Sequence, residues 1–241
     1  MSKGEMNMKN VKKLICILIA AALVVCFAFA LVACNNAKPE TMTDADFAAL
    51  KAYAAAVGGE ASSSFRGTIT TENETKVVSI YSNSVTIDTT HTDADGKVTR
   101  TYYLWGVDGS DRTIEAQAVY EGDATLATSN DYKRNSDAKK SDVTAGSGIS
   151  NATDTIGSLL GYISGTVTKH SDSKLDYEIS YSTDDSGKAN ATIVAHVENG
   201  MLASVTVTED GVSYTTTYEY EIGSMQVPTQ AQWKEELHPI A

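Results

Sequence analysis

The stretch that decides the fold is Val-Ser-Tyr-Thr-Thr-Thr-Tyr-Glu-Tyr-Glu-Ile, residues 212–222. One set of alternate positions carries Val212, Tyr214, Thr216, Tyr218, Tyr220 and Ile222, while the other carries only serine, threonine and glutamate. Side chains of a strand point to its two faces in turn, so a period of two predicts an antiparallel strand with one buried face.

The same alternation extends upstream through most of the chain. Asn199-Gly200 and Asp210-Gly211 separate neighbouring alternating runs, and Asp95-Gly96 does so earlier; such pairs are typical of tight hairpins. We therefore expect a meander of sequential antiparallel strands. The predicted strands span residues 64–71, 76–89, 97–106, 112–121, 173–182, 189–198, 201–208 and 212–222.

Two segments have a helical period instead. Thr43 can cap a first helix, whose apolar face ends before Gly58-Gly59. Residues 122–148 are rich in small and polar residues and predict a weak strand followed by a long loop. A second helix is expected over roughly 150–163, ended by Gly165. Because it lies between two halves of a meander, we expect it to cover the apolar face of the sheet.

The N-terminus has the pattern of an export signal. Lysines at positions 9, 12 and 13 precede Leu14–Ala33, a run without a charged or polar side chain. The run ends in Leu31-Val32-Ala33-Cys34, which resembles the lipobox of bacterial lipoprotein signals. The resemblance implies a helical signal peptide over residues 1–33, a lipid on Cys34 and a tether over 34–43. The alternative is an uncleaved anchor helix with an incidental cysteine.

Charge restricts the partners of the mature chain. Without the four lysines and one glutamate of residues 1–33, 15 basic and 30 acidic residues remain, a net charge of −15. An acidic surface repels phosphate backbones, so nucleic acid is not an expected partner. The expected partners are the membrane, through lipidated Cys34, and either a lipid-like ligand or an envelope protein.

The sequence contains no motif that we interpret as catalytic, cofactor-binding or metal-binding. His91, His170, His196 and His238 are scattered, without a pair at ligand spacing. The segment with Asp93 and Asp95-Gly96 resembles half of a calcium loop, but it lacks the leading Asp and has Tyr102 where a bidentate Glu is needed, so it is interpreted as a hairpin tip. We therefore predict a non-enzymatic protein without a cofactor.

The C-terminal region resembles the closing hairpin of the LolA and LppX-like lipoproteins. The resemblance lies in residues 201–220 with Val227-Pro228, and Phe65-Arg66-Gly67-Thr68-Ile69 looks like the opening strand of that group. It implies an α+β, mainly antiparallel fold: a curved meander sheet, or half-barrel, with one or two helices over its concave face. The domain would span residues 44–228, followed by a tail over 229–241 in which Trp233 docks.

The functional prediction depends on tyrosines that share the apolar parity of two strands. The tyrosines are Tyr177, Tyr181, Tyr214, Tyr218 and Tyr220. They can form the wall of a cleft for an apolar or amphipathic ligand, or they can simply pack the core. The first alternative predicts a ligand-binding lipoprotein on the outer face of the cell membrane. The second predicts an envelope structural or interaction module with a solid core.

Overall fold

The computed structural model describes residues 37–57, 64–121, 126–159, 162–184 and 187–236. Its strands are β1 Glu40–Thr41, β2 Phe65–Thr70, β3 Glu74–Ile80, β4 Ser84–Thr92, β5 Val98–Val107, β6 Thr113–Glu121, β7 Leu126–Arg134, β8 Tyr162–Ser171, β9 Lys174–Tyr181, β10 Ala191–Glu198, β11 Met201–Glu209 and β12 Val212–Tyr220. Its helices are α1 Asp44–Ala56, α2 Lys140–Gly146, α3 Asn151–Ser158 and α4 Gln230–Glu236.

All twelve strands belong to one curved, open antiparallel sheet, in the order β1-β8-β9-β10-β11-β12-β2-β3-β4-β5-β6-β7. Two meanders compose it: β2 to β7 lead to one edge, and β8 to β12 return from the other edge to the centre. There β12 pairs with β2, with Thr216 opposite Ile69. The predicted fold class, α+β with a mainly antiparallel meander sheet, is confirmed.

The two helices α1 and α3 cover the concave face of the sheet, where both contact β11. The core lies between these layers, and its most completely buried side chains include Leu50, Ile156, Tyr177, Ile179 and Val205. Helix α1 begins with the predicted cap: the backbone N–H of Asp46 donates to Thr43 Oγ1 (3.2 Å), and that of Thr43 donates to Asp46 Oδ2 (2.9 Å).

Two strand glycines mark where other elements touch the sheet. A Cβ on Gly67 of β2 would lie 1.7 Å from Ile149 Cδ1, and one on Gly165 of β8 would lie 2.7 Å from Met42 Sδ. These positions therefore admit only glycine without a shift of the neighbour. Gly165 was predicted to end a helix. It lies instead inside β8, where the absence of a side chain leaves room for Met42.

Several predicted boundaries are wrong in informative ways. The single strand over 76–89 is two strands, because the chain turns at residues 81–83, where the backbone N–H of Tyr81 donates to Ser84 O (2.8 Å). The second helix ends at Ser158 instead of 163, and β8 follows. The long loop before it contains α2, and the weak strand is β7.

The domain also begins earlier than residue 44. Its compact unit starts at Pro39, β1 pairs with β8, and Met42 is 5% exposed. The last residues of the predicted tether are thus part of the sheet domain. Cys34 and the predicted signal peptide lie outside the described residues. Among those that are described, no helix is long and apolar enough to span a membrane.

The C-terminal segment packs on the convex face of β5 and β6, opposite to the helices. Val227 and Trp233 contact a second buried cluster that includes Leu104 and Ile114. The Trp233 ring lies 5.9 Å from that of Tyr102, and the residue is 2% exposed. The predicted docking of the tail through Trp233 is confirmed.

Candidate functional site

The five tyrosines predicted to face a ligand all lie on the concave side of the sheet, beneath the helices. Tyr177, Tyr181 and Tyr218 are 2%, 4% and 8% exposed, and the half-buried Tyr214 and Tyr220 pack against the same core. The structure thus brings these residues together as one packed layer. Their contacts support the core-packing alternative rather than the wall of an open cavity.

Two of these tyrosines use their hydroxyls to connect strands. The Tyr181 hydroxyl donates to Glu209 Oε1 (2.5 Å), and that of Tyr220 donates to Leu202 O (2.8 Å). The Tyr218 hydroxyl is buried and has no hydrogen-bond partner among the residues that the structure describes. Burial raises the pKa of Tyr177 and Tyr220 to about 12, so both are neutral at physiological pH.

A cleft of about 440 Å³ lies between α1 and α3. Its α3 wall is a single helical face, since its positions recur at intervals of three and four residues. On the α1 wall, Lys51, Ala54 and Ala55 recur with the same helical spacing. The lining residues are Lys51, Ala54, Ala55 and Val57 from the α1 side, and Ser150, Thr153, Asp154, Gly157 and Ser158 from the α3 side. Small side chains on both helices leave this space open.

Two charges of opposite sign line the cleft. Lys51 Nζ donates to Leu159 O (2.8 Å) at the C-terminal end of α3 and lies 4.8 Å from the centre of the Phe47 ring. Asp154 is exposed on α3. The cleft therefore offers an ammonium group, a carboxylate and several hydroxyls beside a small apolar wall.

A second polar cluster, on the convex face, joins β8, β9 and β10. Asp176 lies between two histidines: His170 Nε2 is 2.6 Å from its Oδ2, and His196 Nδ1 is 2.6 Å from its Oδ1. The Asp176 side chain is 16% exposed. Burial alone would raise the pKa of Asp176, but hydrogen bonds from His196 and His170 outweigh it and lower that pKa.

The sequence did not predict this His-Asp-His cluster. Asp176 and His196 are direct cross-strand partners, and His170 joins them beside an irregularity between Lys169 and Ser171. The alternation alone placed His196 on the polar face; only the strand register could have placed Asp176 beside it. In the part of the chain that the structure describes, no group of His, Cys, Asp or Glu side chains is arranged to hold a metal ion.

The segment after β4 is the predicted hairpin tip. Asp93 Oδ1 accepts hydrogen bonds from the backbone N–H groups of Asp95 and Lys97 (3.0 and 2.8 Å), and Gly96 has a φ of 78°. The carboxylate is thus used within its own turn. His91 is exposed at the end of the preceding strand.

No family model and no curated protein matches the chain. Among solved structures, the chain is similar to a DUF1329 family protein from Desulfovibrio piger, at 14% identity and a TM-score of 0.23. The similarity covers 80% of this chain and 98% of that chain. At this level it carries no argument about fold or function.

Proposed function

We propose that the chain is a membrane-anchored extracytoplasmic lipoprotein that binds a small amphipathic molecule in the cleft between α1 and α3, without a catalytic step. The lipobox-like residues Leu31-Val32-Ala33-Cys34 support the anchor, as does the resemblance of residues 201–228 to the LolA and LppX-like lipoproteins. The cleft is the observation that carries the binding function.

The size and lining of the cleft suit such a ligand. Its volume of about 440 Å³ falls in the range of about 300–1,000 Å³ that is typical of small-molecule sites. The ligand lies between the two helices in this proposal, because the layer between helices and sheet is filled by the buried tyrosines.

Filling the cleft tests the binding function. Gly157 lines the cleft, and a Cβ there meets no atom within 4 Å. Gly146 on α2 is also free of neighbours within 4 Å and lies outside the cleft. Native mass spectrometry of the full chain, extracted from its own membranes in mild detergent, should show a bound small molecule for wild type and Gly146→Leu. Gly157→Leu should have lost it.

The outcome that contradicts this function is equally specific. A wild-type chain without any bound mass, or a Gly157→Leu variant that retains the same mass as Gly146→Leu, excludes the cleft as the binding site.

Replacing Cys34 tests the anchor. Two acyl chains hold a protein stably on a bilayer, so wild type should sediment with membranes and Cys34→Ser should lose the acyl mass. Acylation of the variant chain at the wild-type level contradicts the proposal.

A second candidate function is an envelope structural or protein-interaction module with a solid core. The packed tyrosine layer favours it, since Tyr177 and Tyr181 are almost completely buried in the core between helices and sheet. Chemical crosslinking in intact membranes separates the two functions. A reproducible protein adduct, formed equally by wild type and Gly157→Leu in the absence of any bound small molecule, supports the module.

A further inference from the structure

We infer that the sheet meets an anionic lipid bilayer with one end of its strands, while the other end points away from the lipid. The anchor end is defined by the turns at residues 81–83, 108–112, 172–173 and 199–200, and the far end by those at 71–73, 93–97 and 210–211. This inference rests on the lipid anchor of the proposed function, because it states how the anchored domain is oriented. Three observations carry it: the direction of β1, the length of chain before β1, and the charges of the two ends.

The direction of β1 determines from which end the chain enters the domain. Glu40 of β1 is the antiparallel partner of Val167 in β8. Since antiparallel strands run in opposite directions, the residues before Glu40 lead towards Ser171, where β8 ends. Ser171 adjoins the turn at 172–173, so the chain enters from the anchor end.

The chain between the predicted lipid and β1 is short. Cys34 precedes Glu40 by six residues, which span at most about 21 Å when fully extended. Val167 is four residues from Ser171, or about 13 Å along the strand, so the extended chain passes the anchor end by only about 8 Å. A chain that reversed its direction before β1 would have too few residues left to reach the far end. A bilayer that holds the lipid therefore lies close to the anchor end.

The charges of the two ends favour the same orientation. At the anchor end, three carboxylates are balanced by three basic groups: Arg134 lies 3.0 Å from Asp108, and Lys140 Nζ donates to Ser82 O (3.2 Å). The three turns of the far end contain four carboxylates and one lysine. The groups are Asp108, Asp111 and Asp172 with Arg112, Arg134 and Lys140 at the anchor end, and Glu72, Asp93, Asp95 and Asp210 with Lys97 at the far end. Anionic headgroups therefore repel the far end more strongly than the anchor end.

Two exposed apolar side chains lie at opposite ends and give a matched pair of positions for a test. Met201 begins β11 at the anchor end and is 46% exposed, whereas Val212 begins β12 at the far end and is 71% exposed. The length of β11 separates them by about 30 Å. If apolar contact alone oriented the domain, Val212 would face the lipid. The chain entry and the charges place Met201 there instead.

Fluorescence quenching in vesicles tests the orientation. Met201→Cys and Val212→Cys are each introduced into the full chain, purified as the acylated lipoprotein and labelled with a polar thiol-reactive fluorophore. The acylated Cys34 sulfur does not react, and the other two natural cysteines lie within residues 1–33. The labelled chains are reconstituted into vesicles of phosphatidylcholine and phosphatidylglycerol in which part of the headgroups carry a nitroxide. Both positions are exposed, so both variants should fold like wild type.

The label at position 201 should lose most of its fluorescence, and the label at position 212 should retain it, because nitroxide quenching acts only at short range. Equal quenching at the two positions, stronger quenching at position 212, or no quenching at either position overturns the inference. When mass spectrometry shows acylated Cys34 and the chain sediments with the vesicles, such a result leaves the anchor itself intact. A chain that is not acylated and stays free of the vesicles removes the anchor and the inference together.

Discussion

Replacing Gly67 by alanine should destabilise the protein by about 1–2 kcal/mol, although alanine normally favours a folded strand over glycine. A Cβ at this position would lie 1.7 Å from Ile149 Cδ1 and 3.0 Å from its Cγ1. Ile149 is 2% exposed and has little room to move. Overpacking of a filled core costs about 1–3 kcal/mol of stability. This cost outweighs the gain of about 0.5–1 kcal/mol that alanine gives because it loses less conformational entropy than glycine on folding.

The clash has a specific rescue. Ile149→Val removes the Cδ1 atom that lies closest to the new methyl group, and alone it should cost about 1 kcal/mol. The double variant should be destabilised by about 1 kcal/mol less than the sum of the two single variants, because the two residues are in direct contact.

Urea denaturation provides the measurement, with fluorescence from Trp105 and Trp233, both of which are buried. The midpoint should shift without a change in the slope of free energy against urea. Gly157→Ala is the control: its Cβ meets nothing within 4 Å, so a helical glycine-to-alanine change should stabilise by up to about 1 kcal/mol. A Gly67→Ala variant as stable as wild type, or strictly additive effects in the double variant, would refute the contact between this strand and the segment before α3.

Three further predictions concern other parts of the structure. Tyr220→Phe should cost about 1 kcal/mol in unfolding free energy because it removes a hydrogen bond, whereas Tyr218→Phe should cost nothing or stabilise, since its buried hydroxyl has no such bond; thermal unfolding of the two variants checks this. The pKa of Asp176 is lowered in the folded protein, so its stabilising contribution is present above the unfolded value near 3.9 and is lost as the pH falls below it. When the pH is lowered from 6 to 3.5, the urea midpoint should therefore fall more for wild type than for Asp176→Asn. Trp233→Ala should cost about 3 kcal/mol, by removing a large side chain that is 2% exposed, and should expose the C-terminal segment to limited proteolysis.

The sequence predicted those elements whose local pattern agrees with their tertiary environment. Alternation in residues 212–222 reflects one buried and one solvated face, which is how β12 lies in the sheet. The Thr43 cap was predictable because all of its partners lie within three residues. Helix α2 was missed because it lacks an apolar face, and none of its residues is fully buried.

Features that depend on contacts distant in sequence could not be predicted in this way. Gly165 looked like a helix end, because nothing in its neighbourhood indicates that Met42 packs against it. The cleft arises where α1 approaches α3, and the two helices are about a hundred residues apart in the sequence. Small residues in one helix alone do not predict that a second helix will form a cleft with it. The His170–Asp176–His196 cluster requires the register of three strands at once.

The pairing of β12 with β2 at the centre of the sheet has a consequence for the order of events during biosynthesis. Thr70 in β2 is the partner of Thr215 in β12, so the seam joins residues that are synthesised about 7–30 s apart at ordinary rates of translation. Until then, one long edge of the first meander has no partner strand. The sheet is therefore completed only after β12 has been synthesised, so it closes late rather than stepwise along the chain.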